Sequence, residues 1–197
     1  MPSSDPSSRS RAPQGAAKTW LSVDVVFDDE DWSRHAGVEA LVREAGAALA
    51  SHGRMKGLAA SEACIALSND ATVRQLNAGY RGKDKPTNVL SFPAPAPPVP
   101  QPVRFVGDVV LARETVEREA HERGVPFADH VRHLTVHGLL HLMGFDHETE
   151  ADAVVMEGLE TEILASRGIA DPYGDRDGTA LAVDRLAPDR LAPDPLD

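Results

Sequence analysis

Apolar and polar positions alternate in two short runs early in the chain. WLSVDVVF (20–27) and SEACIALS (61–68) place apolar side chains at or near every second residue, the period of a strand with one buried face. Between them, GVEALVREAGAALASHG (37–53) repeats its apolar residues at helical steps, which predicts a helix stopped near Gly53. Ser68 or Asn69 can cap a further helix through DATVRQLNAGY (70–80), which Gly79 and Gly82 help to end. TNVLSFP (87–93) and FVGDVVLA (105–112) read as strands, and RETVEREAHERG (113–124) as a charged helix ended by Gly124. FADHVRHLTVHGLLHLMG (127–144) carries the strongest helical pattern, through Val131, Leu134, Leu139 and Leu142, with Gly144 as its stop. ETEADAVVMEGLETEILASRG (148–168) predicts a last helix, ended by Gly168. The order β-α-β-α-β-β-α-α-α predicts one α/β (α+β) domain over 19–170. It would have a small mixed β-sheet and a helix-rich C-terminal half.

Three stretches break the pattern. Residues 1–18 are rich in Ser, Pro and Ala and predict a disordered tail. Residues 93–102 hold six prolines, which cannot join a sheet ladder and predict an extended surface loop. Residues 171–197 contain the tandem RLAPD-RLAPD and seven aspartates, and predict a disordered acidic tail rather than a solenoid.

Composition changes this picture little: 42% hydrophobic and 26% charged residues in 197 suit a globular chain with an adequate core. Cys64 is the one cysteine, so no internal disulfide can form, and mid-strand it reads as a small buried residue rather than a nucleophile. With no apolar leader and no run of the ~18 apolar residues a membrane helix needs, the expectation is a cytoplasmic protein without membrane contact. Charge does alter the functional reading. The net charge of −11 argues against bulk electrostatic capture of nucleic acid, so a polyanion would have to be gripped locally. RGKDK (81–85) is a local basic spot within the acidic body.

The chemistry concentrates in HGLLHLMGFDH (137–147). His137 and His141 are four residues apart on a predicted helix, so they share a face about 6 Å apart along its axis. Gly144 lets the chain turn at positive φ and return His147 toward the same point. Three imidazoles with a fourth position left open is the arrangement of a catalytic rather than a structural zinc. His133 extends the stripe by one turn. Lying about 12 Å along the axis from His141, it suits a supporting or packing role better than a ligand's. The spacing matches the metzincin protease pattern H-E-x-x-H-x-x-G-x-x-H, except that Gly138 stands where the general-base glutamate belongs. Peptide hydrolysis leans on that acid, so a reaction less dependent on it, such as phosphodiester cleavage, fits better. Asp146 or Glu148, which adjoin His147, could stand in as a base, but each reads rather as a solvated loop carboxylate.

A second constellation is YRGKDKPTNVLSFP (80–93). Arg81 is a rigid fork suited to phosphate oxygens, Lys83 and Lys85 add charge nearby, and the strand that follows can offer edge backbone groups to an extended substrate.

YRGKDKPTNVLSFP and HLTVHGLLHLMGFDH, with GDVVLARETVEREA (107–120) between them, closely resemble the YbeY family of bacterial endoribonucleases. The resemblance covers about residues 60–165, more loosely from 20. It implies a zinc-dependent, single-strand-preferring endoribonuclease acting in small-subunit (16S) ribosomal RNA 3′-end maturation and ribosome quality control. RNA and the ribosome would be its partners. It also implies one Zn²⁺ held by His137, His141 and His147, and a functional Arg81; Lys83 and Lys85 are candidate substrate contacts. Two attacking groups stay open, a water or the RNA's own 2′-hydroxyl. Two other readings also stay open: a non-catalytic ribosome-assembly factor braced by its metal, and a zinc peptidase.

Overall fold

The alternating runs become strands because one set of their side chains has a core to enter. A computed structural model describes residues 19–174. β1 (Leu21–Phe27) and β2 (Ser61–Ser68) send Leu21, Val23, Ala63, Ile65 and Leu67 to one face. β4 (Arg104–Ala112) adds Val109 and Leu111 to that face, and the short β3 (Val89–Pro93) lies at the sheet edge. The sheet order is β1-β2-β4-β3: β1 and β4 run parallel to β2, and β3 runs antiparallel to β4. The mixed α+β sheet expected from the element order is therefore present.

Helices cover both faces. α1 (Val38–Ser51), α4 (Phe127–Leu142) and α5 (Glu150–Ala165) close the larger core with Val42, Leu49, Leu134, Leu139, Met156 and Ile163. α2 (Asp70–Arg81) covers the other face, where Val73 packs on Leu90 and Val110. α3 (Arg113–Glu122) follows β4 directly and lies beside α2 and α4. Asn69, not Ser68, caps α2: its Oδ1 accepts from the Thr72 amide at 2.9 Å. A 3₁₀ turn over Glu30–Arg34, which no periodicity signalled, buries Trp32 with its indole N–H donating to the Ser68 carbonyl at 2.7 Å. Cys64 is half-buried rather than buried, and burial, together with Asp108, pushes its thiol pKa up.

Two glycines let the layers meet. Gly107 has φ +136° beside an irregularity in the β2–β4 register, and a Cβ there would lie 2.2 Å from the Phe92 carbonyl oxygen. Gly138 lets α4 press onto the sheet: its Cβ would meet Val109 at 2.5 Å.

Pro93 closes the edge strand, a place that needs no ladder donor. The expected tail at 1–18, and residues 175–197 of the tail expected at 171–197, lie outside the described residues. Residues 171–174, read from sequence as the start of the second tail, make a turn bound to the body. Thr161 donates to Asp171 Oδ1 at 3.0 Å, and Arg123 donates to the Pro172 carbonyl at 2.8 Å. Among the described residues, no helix is long and apolar enough to cross a membrane.

Candidate metal centre

The helical period of α4 sets His137 above His141, and the backbone leaves α4 through Gly144 at φ +89°. This turn returns His147, as its spacing predicts. The three rings have centroids 4.6, 5.3 and 5.0 Å apart, and each offers a ligand atom within 4.8 Å of the others. His137 and His141 approach to 3.1 Å between their Nε2 atoms. That is close to the ~3.3 Å that ligand atoms take up around a tetrahedral ion with 2.0–2.1 Å bonds.

Protonation also suits a cation. Burial, aided by the neighbouring His137 and His147, pushes the His141 pKa down to about 3, so the ring is neutral near pH 7 and its lone pair is available. Behind His137 lies Glu160 of α5, fully buried. Its Oε1 accepts from His137 Nδ1 at 2.9 Å, and its Oε2 accepts from His133 Nε2 at 2.8 Å and from the Tyr173 hydroxyl at 2.5 Å. Burial alone would raise its pKa. The two imidazoles outweigh burial and hold it well below the usual carboxylate range. Burial lowers the pKa of His133 more than Glu160 raises it. The residues present thus fit a divalent ion: three imidazoles converge, and a buried carboxylate fixes one of them from behind.

The cluster opens into a cavity of about 1090 Å³. Arg81, at the end of α2, lines the same cavity, as do Thr87, Asn88 and the edge-strand residues Val89, Ser91 and Pro93. Lys83 and Lys85 are not among the residues lining it; their loop is tied back by Asn77, whose Nδ2 donates to the Lys85 carbonyl at 2.7 Å. Asp84 pairs with Arg74 at 2.6 Å on the exposed side of the loop. Asp146 and Glu148 both reach the cavity wall, and Asp146 Oδ1 accepts from the His147 amide at 2.7 Å. Asp146 therefore shapes the turn that carries a candidate ligand.

Glu160 and Tyr173 escaped the sequence reading. A signal for Glu160 exists: Met156, Leu159, Ile163 and Leu164 form the buried stripe of α5, and Glu160 falls within it. A carboxylate inside an apolar stripe needs a buried partner.

A mixed sheet thus carries two histidines of one helix and a third from the turn after it, a group that could hold a metal ion, with an arginine on the same cavity. The family model described as Endoribonuclease YbeY matches residues 26–168, and the chain belongs to that family. Curated relatives named Endoribonuclease YbeY agree. The one from Rhodospirillum rubrum is 53% identical over 72% of this chain and 76% of its own. Those from Rhodopseudomonas palustris (strain BisA53) and Bradyrhizobium diazoefficiens are 47% and 49% identical, covering 79% and 80% of this chain and 92% and 87% of their own.

Proposed function

We propose that this protein is a zinc-dependent endoribonuclease that cuts single-stranded RNA, and that it acts in 16S ribosomal RNA 3′-end maturation and ribosome quality control. One observation carries the nuclease reading: in a chain of this family, three convergent imidazoles and Arg81 open into one cavity. His137, His141 and His147 would hold a single ion. Zn²⁺ suits three imidazoles better than a hard cation, and it would supply Lewis acidity toward a phosphoryl oxygen.

The chain's own residues do the rest. Arg81 binds the scissile phosphate and stabilises the charge that develops on it. Lys83 and Lys85, in the loop after Arg81, add attraction for the RNA backbone beyond the cavity. β3 sets an extended strand beside the cluster with its Val89, Ser91 and Pro93 positions on the wall. The ribosomal substrate is what the family resemblance implies.

The test is cleavage of end-labelled single-stranded RNA by wild-type protein and by His141→Ala purified identically. Wild type should cut and lose activity to a chelator, and His141→Ala should cut at least ~100-fold more slowly, as loss of several kcal/mol of metal catalysis requires. Equal cutting by both proteins would overturn the assignment. Product ends bearing a 2′,3′-cyclic phosphate would identify the 2′-hydroxyl as the attacking group. Small-subunit RNA with unprocessed 3′ ends in cells lacking the protein would support the ribosomal role, and normal ends would remove it.

A further inference from the structure

We infer that Glu160 is a positioning residue of the histidine cluster, held in place by Tyr173 and His133, and that it sets the cluster's affinity for its metal. The inference rests on the reading of the cluster as a metal site, but not on RNA cleavage.

A carboxylate with no solvent exposure is costly unless its oxygens are satisfied. A plain α4–α5 staple would satisfy them with any donors. Here the partners are specific. Oε1 is given to His137 Nδ1, the ring nitrogen opposite the one that faces His141. A nitrogen that donates to a carboxylate carries the proton, so Nε2 of the same ring is left with its lone pair toward the cluster. Glu160 thereby fixes the tautomer and the ring plane, and its charge makes the imidazole a stronger donor to a cation.

Oε2 is held from two other directions, by His133 Nε2 and the Tyr173 hydroxyl. Tyr173 arrives from the turn after α5, where its own amide donates to Asp171 Oδ1 at 2.9 Å. Asp171 is in turn tied to Thr161, and Pro172 to Arg123. The carboxylate is thus braced by α4 and by the segment that follows α5.

The experiment titrates metal-free protein with Zn²⁺ against a chromophoric chelator, for wild type, Glu160→Gln and Tyr173→Phe. Glu160→Gln keeps the shape and an acceptor for His137 but removes the charge. It should bind Zn²⁺ about 10–100-fold more weakly. Tyr173→Phe should shift affinity in the same direction by a smaller factor. Imidazole ¹⁵N shifts of metal-free wild type should show His137 protonated at Nδ1. Wild-type Zn²⁺ affinity in Glu160→Gln would overturn the inference, as would an Nε2-protonated His137. If Glu160→Gln does not fold, Tyr173→Phe and the tautomer measurement decide it. A protein that binds Zn²⁺ as described but never cuts RNA removes the nuclease reading and supports this inference.

Discussion

Asn88 shows how much one motif residue can carry. Its Oδ1 accepts from the Val89 amide at 2.7 Å, its carbonyl accepts from the Ala112 amide at 2.9 Å, and its Nδ2 donates to Glu119 Oε2 at 2.9 Å. The same Glu119 oxygen meets His130 Nε2 at 2.9 Å, so Asn88 joins the cavity wall to α3 and α4. Burial would raise the pKa of Glu119, but the bonds from His130 and Asn88 outweigh it and hold the pKa below its ordinary 4.5. A carboxylate depressed in the folded state stabilises that state above its unfolded pKa. That stability is lost as pH falls below about 4.5 and through the lowered value. The urea midpoint should therefore fall between pH 5 and pH 3 in wild type by more than in Glu119→Gln; parallel curves would contradict a stabilising role for the charged carboxylate. The three histidines were legible because their spacing lies within one segment of chain. The partner of Glu160 was not, because the carboxylate, though marked by its place in the apolar stripe of α5, meets His137 across 23 residues that no local period connects.

At the scale of elements, the packing of α4 on the sheet explains why Gly138 occupies the position where a zinc protease has its glutamate. Ser91 Oγ donates to the Gly138 carbonyl at 3.2 Å, and a Cβ would point into Val109. A side chain there enters the sheet rather than the cavity. Gly138→Ala gains about 1 kcal/mol of helix propensity but incurs about 1–3 kcal/mol of overpacking, so a net loss of about 1 kcal/mol is expected in urea unfolding. Gly138→Glu should unfold the protein rather than confer peptidase activity; a folded variant that cleaves casein would restore the protease reading. The strands and long helices followed from their periods. The sheet order did not, because the β1–β2 and β2–β4 pairings join residues far apart in sequence and leave no mark on local alternation. The 3₁₀ turn around Trp32 was also hidden, since five residues show no helical period.

For the whole molecule, an acidic chain must still receive a polyanion. The cavity runs along β3, whose five residues span about 13 Å. By strand register Thr87 precedes the Val89 end of β3, and Arg104, paired with Ser61, and Trp20 lie toward the Pro93 end; Arg54 and Arg81 line the same cavity. Asp146, Glu148 and Asp152 form part of the wall, and their charge would turn a phosphate chain toward the arginines. With His141→Ala used to prevent cutting, Arg104→Glu should weaken binding of a single-stranded RNA long enough to span the cavity. It should also reduce the salt slope by about 0.7 for each phosphate that is no longer neutralised. A dinucleotide should bind both proteins alike. An unchanged slope would place the RNA elsewhere.

The support of His137 by residues far downstream has a consequence for the order of synthesis. Glu160 lies 23 residues beyond His137, and Tyr173 lies 40 beyond His133. At about 5–20 residues per second, the imidazoles are made seconds before the carboxylate and hydroxyl that orient them. A copy still being translated therefore carries an unfinished centre.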